Sequence, residues 1–324
     1  PGITNMATAL LEAHSASLPV IALSNGTPIS SDGKGAFQEL DSVSFMRPVT
    51  KWATRIVSPE TTPLVMQRAF SIAKNGRPGP VFIDVPSDIA LESCSMPTYK
   101  RALDRHTFRP GSDAIATAAA LVKKAKQPII ICGSGAVSAR AGTNITRLAE
   151  SIGAALYTTP GGRGTYAEDH PLCLGQIGLY FTDAGKKYFD ESDLVISFGS
   201  RLEDFSTGGW TLWPSRAKFI QIDIDPESIG LNIRPDTALV GDADLTAADL
   251  LTAIDNLAVK NTLTRYRTVN KLQTRHIANV QRQLKKQTKP ISGRQVVGAV
   301  NRVFGKDTIM VHENGGADLW SYYW

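Results

Sequence analysis

The sequence predicts an α/β protein of doubly wound parallel sheets, and three observations carry that prediction. Gly76-Arg77-Pro78-Gly79-Pro80 fixes a tight turn and then releases the chain into Val81-Phe82-Ile83-Asp84-Val85-Pro86, a run of the kind that parallel sheets bury on both faces. From Ser112 onward helical and strand-like segments alternate, with glycines and acidic residues at the ends of the strand-like ones, which is the rhythm of successive βαβ units. The 324 residues are 42% hydrophobic and 20% charged, ordinary for a globular α/β chain and long enough for two or three domains.

Taken in order, residues 3–16 place small and apolar side chains at helical spacing behind Thr4-Asn5, which reads as a cap. Leu18 to Leu23 follows as a short buried strand, Ser24 to Lys34 as a Gly/Ser/Asn/Pro loop, and Pro59 to Ala73 as a second helix. Val81 to Val85 closes this first unit, placed at 1–88. Residues 89–111 have little periodicity and scattered Pro, Ser and charge, the composition of a connector.

A second unit, 112–258, then reads as helix to about Lys126, strand Pro128 to Cys132, helix Gly142 to Gly153 and strand Ala155 to Thr158. It continues with strands Leu194 to Phe198 and Phe219 to Ile224 and a helix from Gly241-Asp242 to about Leu257. The polar, basic stretch 259–289 has too few apolar residues for a buried element and reads as a linker. A third unit, 290–324, opens with a helix over Pro290 to Phe304 and a strand over Thr308 to His312.

Composition excludes several classes. Lys+Arg 35 against Asp+Glu 30 gives +5, but the surplus is concentrated between Arg265 and Lys289 rather than on an aromatic-studded face, so no nucleic-acid partner is expected. Cys94, Cys132 and Cys173 are odd in number and lack metal spacing, which suits unpaired thiols of a reducing compartment. No apolar run approaches the roughly 18 residues a membrane span requires, so no membrane partner is expected. His170 and His312 lack a nucleophile or metal-ligand partner at a meaningful spacing and read as structural.

Three motifs carry the chemistry: Pro1-Gly2-Ile3-Thr4-Asn5, Ala36-Phe37-Gln38-Glu39, and the Gly76 to Pro86 segment. In this order and spacing they resemble the pyrimidine-binding domain of thiamine diphosphate enzymes, most closely the acetolactate synthase large-subunit family. The resemblance makes 1–88 the C-terminal part of that domain and assigns Pro1, Asn5 and Gln38 to the rim around the cofactor, with Gln38 at the active site. A Gln buried there has two donors and an acceptor that a cofactor and substrate would satisfy. The resemblance also gives Arg77 a contact with a flavin dinucleotide, which its planar guanidinium suits. Arg47 to Lys51 keeps the family's Arg-x-x-Thr-Lys pattern, either as a solvated charged face or facing a second nucleotide or the partner subunit.

Glu313-Asn314-Gly315-Gly316-Ala317-Asp318-Leu319-Trp320 is similar to the opening of the family's diphosphate-binding domain, with Gly315 and Gly316 in a loop whose backbone approaches the diphosphate. Gly316, Ala317 and Asp318 replace the family's Gln-His-Gln-type side chains, so substrate preference differs on this reading. The Mg²⁺-binding Gly-Asp-Gly…Asn motif and the cofactor-activating Glu lie outside the sequence. The chain is therefore expected to be an interior piece of a longer enzyme, inert by itself.

In the Rossmann-like middle unit, Gly133-Ser134-Gly135 follows a strand and precedes a helix, the context of a nucleotide-phosphate turn, although the third glycine of the fingerprint is missing. Gly162-Arg163-Gly164, Gly199-Ser200-Arg201, Asp223-Ile224-Asp225-Pro226 and Gly241-Asp242 also fall at strand ends. Acidic tips there suit ribose hydroxyls, and Arg201 suits a phosphate. These segments, with Glu168-Asp169-His170-Pro171, resemble the flavin-binding middle domain of the same family. Ile177 to Gly185 departs from the family's Gly-Met-His-Gly turn, which leaves FAD, ADP or no nucleotide open.

The resemblance implies thiamine diphosphate with Mg²⁺, decarboxylation of pyruvate and carboligation to a second 2-oxo acid, in branched-chain amino acid biosynthesis. It further implies a homodimer or homotetramer, a regulatory subunit as an additional partner, and a cytoplasmic or, after loss of a targeting peptide, organellar location. The alternatives are a thiamine diphosphate-dependent decarboxylase or lyase of another 2-oxo acid, and a non-catalytic nucleotide-binding remnant.

Overall fold

The β-branched run behind Gly76–Pro80 is the central strand of the first of two units in the computed structural model. The structure describes residues 1–95, 105–255, 257, 259–305, 307–311, 315 and 320, and the units span 1–107 and 108–324. In the first, α1 (Gly2–Ser15), β1 (Ile21–Gly26), α2 (Ser42–Met46), β2 (Trp52–Arg55), α3 (Thr62–Lys74), β3 (Val81–Pro86) and α4 (Ser87–Leu91) follow one another. The sheet order is β1-β3-β2, all parallel, with Val81 opposite both Ile21 and Trp52. Val81, Phe82 and Ile83 are fully buried because helices cover both faces of β3, Leu10 and Met46 on one side and Ala69 and Ala73 on the other.

The second unit contains α5 (Ser112–Lys124), β4 (Pro128–Cys132), α6 (Ser134–Ser138), α7 (Gly142–Ile152), β5 (Ala155–Thr158), β6 (Cys173–Gln176) and α8 (Asp183–Asp190). It continues through β7 (Leu194–Phe198), α9 (Asp204–Thr207), β8 (Lys218–Asp223), β9 (Thr237–Val240), α10 (Ala243–Asp255), α11 (Thr262–Leu284) and α12 (Gly293–Val303). The six strands are parallel in the order β6-β5-β4-β7-β8-β9. That is the doubly wound order of dinucleotide-binding folds, whose topological switch lies between β4 and β7. All five residues of β4 and of β7 are buried, as strands sandwiched between helical layers must be.

Several expectations are corrected. Thr4 and Asn5 are not the cap: α1 starts one turn earlier with Pro1 at N-cap, and the Thr4 hydroxyl donates to the Pro1 carbonyl at 2.9 Å. The strand expected at Leu18–Leu23 lies at Ile21–Gly26 and is half exposed, because β1 is an edge of the described sheet and only one flank pairs. Residues 108–111, read as connector, belong to the second unit, where the Asp242 amide donates to the Phe108 carbonyl at 2.9 Å. Thr308 to Val311 carry no strand, and Ile309 and Val311 are exposed; His312 lies outside the described residues.

The largest correction concerns 259–289, which is not a linker without buried residues: α11 fills most of it and packs on the second unit. Arg265, Val269 and Gln273 recur every fourth residue and are buried, so one stripe of an otherwise basic helix faces inward. Arg265 donates to the Ala125 carbonyl at 2.8 Å and Gln273 to the His170 carbonyl at 2.6 Å. Two of the three inward residues are polar, and for that reason the stripe escapes a hydrophobic count.

Val269 is fully buried under α11, so Val269→Asp should cost about 3–5 kcal/mol in urea unfolding or release the helix to protease, as an unpaired buried charge does. Arg267→Ala on the same helix should stay within about 0.5 kcal/mol.

Candidate functional site

In the first unit, parallel pairing brings the carboxyl ends of β1, β3 and β2 together. Arg55, the last residue of β2, is paired in register with Asp84. Its Nε lies 3.1 Å from Asp84 Oδ2, its Nη1 2.7 Å from Asp32 Oδ2, and its Nη2 donates to the Thr27 carbonyl at 2.6 Å. Burial pushes the Asp84 carboxyl above the usual range, and the Arg55 guanidinium opposes that shift. Glycine is required at position 26, because a Cβ there would lie 2.4 Å from Asp84 Oδ1.

The loop that follows β1 is held at its far end by Glu39. Its carboxylate accepts the amides of Gly33 at 2.6 Å and of Gly35 and Ala36 at 3.0 Å. The Glu39 amide donates to the Ala36 carbonyl at 2.9 Å, closing a turn whose third residue, Gln38, has φ +59°. A left-handed backbone costs a non-glycine residue about 1 kcal/mol. Gln38 is exposed, not buried as expected, and stands at the tip of this turn.

The position of α1 is set by its far end. Arg77, just before β3, donates to the Ser17 hydroxyl at 2.8 Å and to the His14 and Ser15 carbonyls at 3.0 and 3.3 Å. The end of α1 is thereby fixed near the amino edge of the sheet, and its start lies about 21 Å away. Pro1, Asn5 and Gln38 are all exposed.

The cations of this unit meet its own backbone. Arg77 is committed to the end of α1. Lys51 turns to the chain's own backbone: its ammonium donates to the carbonyls of Ile72, Asn75 and Arg77 at 2.6, 2.8 and 2.8 Å, which matches its three donors to acceptors at and just beyond the end of α3. Arg47 is exposed.

In the second unit the strand-end glycines gather at the switch point, but they meet one another rather than a vacant cradle. The Gly133 amide donates to the Phe198 carbonyl at 2.9 Å and that of Gly135 to the Gly199 carbonyl at 3.0 Å. A Cβ on Gly133 would lie 2.2 Å from the Gly199 carbonyl oxygen, and one on Gly162 would lie 1.8 Å from that of Cys132. These glycines are explained by loop-on-loop packing, and the Gly135 amide is already spent. Gly164, with φ +85°, opens onto free space.

Asp223 is buried and accepts the Asp225 amide at 2.9 Å, while Asp242 accepts the amides of Asp244 and Leu245 at 3.0 and 3.3 Å, capping the start of α10. Arg201 lies 3.4 Å from Glu203 and is about one-third exposed at 31%. Gly315 is exposed with φ +141°; Gly316 and the neighbouring Glu313, Asn314, Ala317 and Asp318 lie outside the described residues. His170 is structural, its ring 3.2 Å from Glu150 and also accepting the Leu172 amide at 3.2 Å.

A separate cavity of about 740 Å³ opens beside β6, beneath α11 and α12, with Gln176, His276, Val280 and Val300 in its wall. Arg163 and Glu168, from segments the sequence singled out, share that wall, but the two covering helices come from segments whose packing the sequence conceals. Cys173 is also in its wall, and burial raises that thiol to about 11. Among the described residues no group of three His, Cys, Asp or Glu side chains could hold a metal, and no helix is long and apolar enough to cross a membrane.

Two features escaped the sequence reading. Arg55 with Asp84 is one, since the partners are 29 positions apart and only strand register joins them. Glu39 is the other, quoted only as part of a motif, although the glycines of Ser31-Asp32-Gly33-Lys34-Gly35 signalled a turn with free amides.

The edge-of-sheet geometry and the strand order are those of a cofactor-binding α/β enzyme, and the comparisons agree. Residues 1–45 match the N-terminal TPP binding domain of thiamine pyrophosphate enzymes and residues 115–250 match their central domain, together more than half of the chain. The chain belongs to the thiamine pyrophosphate enzyme family. Within it the chain is similar to proteins named acetolactate synthase. It is 38% identical over 267 residues to the probable large subunit of Methanocaldococcus jannaschii, covering 81% of this chain and 45% of that protein. It is 34% identical over 261 residues to the large subunit of Cyanidium caldarium, covering 78% and 45%. Against acetolactate synthase 2, chloroplastic, of Zea mays it is 32% identical over 268 residues, covering 80% and 41%. The chain thus spans under half the length of the relatives it matches.

Gly162→Ala should lose about 3 kcal/mol in urea unfolding, because its Cβ meets backbone, whereas Gly164→Ala, strained only in φ, should lose about 1 kcal/mol. Burial lowers the His276 pKa below its ordinary 6.5, so the unfolded chain binds the proton more readily and the stability this residue allows is lost as pH falls through 6.5. Unfolding measured on either side of that pH should show wild type falling more steeply on acidification than His276→Gln.

Proposed function

We propose that this chain is part of a thiamine diphosphate-dependent enzyme of the acetolactate synthase type, a transferase that decarboxylates pyruvate and joins the remaining fragment to a second 2-oxo acid. The observation that carries the reading is the match of residues 1–45 to the N-terminal TPP binding domain, a stretch that contains Pro1, Asn5 and Gln38, all of them exposed. The similarity to acetolactate synthases over about four-fifths of the chain supports the same reaction.

Bound thiamine diphosphate supplies the electron sink that decarboxylation of a 2-oxo acid needs. The part played by this chain is to bind and orient. Asn5 and Gln38 would offer amide donors and acceptors to the bound cofactor, and Arg55 with Asp84 fixes the strand ends from which the loops spring. The Mg²⁺ ligands and the activating carboxylate come from parts of the enzyme outside this sequence, so residues 1–324 by themselves are inert.

The active unit is a homodimer or homotetramer, with a regulatory subunit as a further partner. A nucleotide of the FAD or ADP type belongs at the switch point of the second unit, near Arg201 and Asp223, a location supported by strand order rather than by the glycines. Three free thiols suit a cytoplasmic or organellar compartment.

The test is the full-length enzyme with thiamine diphosphate and Mg²⁺, given pyruvate or benzoylformate, with acetolactate, aldehyde and carbon dioxide measured and flavin absorbance recorded. Acetolactate from pyruvate is expected, with none from residues 1–324 alone. Aldehyde as the sole product would make the enzyme a decarboxylase, and failure to bind thiamine diphosphate would reduce it to a nucleotide-binding remnant.

A further inference from the structure

The turn that presents Gln38 is ordered by the residue beside it. Glu39 reaches back over its own loop and accepts the Gly33, Gly35 and Ala36 amides at 2.6, 3.0 and 3.0 Å, so the carboxylate fills an anion-binding concavity of backbone N–H groups. Gly33 and Gly35 have φ +72° and +71°, the left-handed backbone that aims those amides inward. At the loop's other end, Arg55 ties Asp32 and the Thr27 carbonyl to the strand ends, and Lys34 donates to the Ser30 carbonyl at 2.8 Å.

Between these attachments Gln38 occupies a turn position at φ +59° where glycine or asparagine is the usual choice. The strained backbone holds its exposed side chain outward, and nothing within the loop uses that side chain. Three backbone amides donate to one carboxylate, and they converge on the residue next to Gln38.

We propose that Glu39 is a positioning residue: its carboxylate, bound by the Gly33, Gly35 and Ala36 amides, locks the turn that fixes Gln38 toward the thiamine diphosphate half-site. The inference rests on the reading of Gln38 as a residue of that half-site.

A double-mutant cycle in the full-length enzyme tests it, with Gln38→Ala, Glu39→Ala and their combination read as kcat/KM for pyruvate, and hydrogen exchange of the Gly33–Ala36 amides read in parallel. Glu39→Ala should lower kcat/KM about tenfold when Gln38 is present and less than about twofold in the Gln38→Ala background, because the two residues act as one unit. Exchange at Gly33–Ala36 should rise in both backgrounds. Glu39→Gln, which keeps one acceptor oxygen, should fall between wild type and Glu39→Ala on both readouts.

Additive losses would overturn the proposal, leaving Glu39 a structural residue that does not act through Gln38. An unchanged kcat/KM or unchanged exchange in Glu39→Ala would also overturn it. If Gln38→Ala alone leaves kcat/KM intact while wild type makes acetolactate, the half-site role of Gln38 and this proposal both fall and the synthase reading stands. If wild type makes no acetolactate, the synthase reading itself is what fails.

Discussion

Parallel pairing is the constraint on which both units depend. Each strand must be re-entered from the same end, so every connection has to return along the sheet, several of them through a helix, and every loop leaving a strand emerges at one edge. In the first unit that edge collects Gly26, Arg55 and Asp84. In the second it collects the glycine turns after β4 and β7 on either side of the point where strand order reverses. A site assembled from residues far apart in sequence is thus a consequence of hydrogen-bond geometry before any ligand is considered.

The parts of the fold that rest on burial alone were legible. The strands Pro128–Cys132, Ala155–Thr158 and Leu194–Phe198 fall where their apolar runs say, because a strand buried on both faces needs an unbroken apolar run. The edge strands were not: β6, β9 and β2 are short and mix polar with apolar residues, so no periodicity separates them from loop. β1 slid by three residues for a related reason, its pairing partner β3 deciding which part of an apolar stretch is strand.

The site was legible in its motifs and opaque in its contacts. Gln38 and Asn5 lie in motifs the sequence singled out, but nothing in the sequence says that Lys51 and Arg77 donate to backbone carbonyls near the ends of α3 and α1, since a cation that meets backbone carbonyls looks the same in sequence as one that meets a phosphate. The glycines at 133, 135 and 199 were likewise ambiguous: a residue without a side chain is equally apt for approaching a ligand and for approaching another loop. Here the second use is the one the hydrogen bonds display.

The inward stripe of α11 has a bearing on how this protein can change over evolutionary time. Arg265 and Gln273 hold backbone carbonyls on two neighbouring segments and Val269 is buried between them, and each residue added to a helix rotates all that follows by about 100°. One inserted or deleted residue between Arg265 and Gln273 would turn part of the stripe to water and bring basic residues into the interface. Lineages can therefore exchange almost any exposed side chain along this helix while its length between those two positions stays frozen, so that spacing, more than identity, is what selection preserves there.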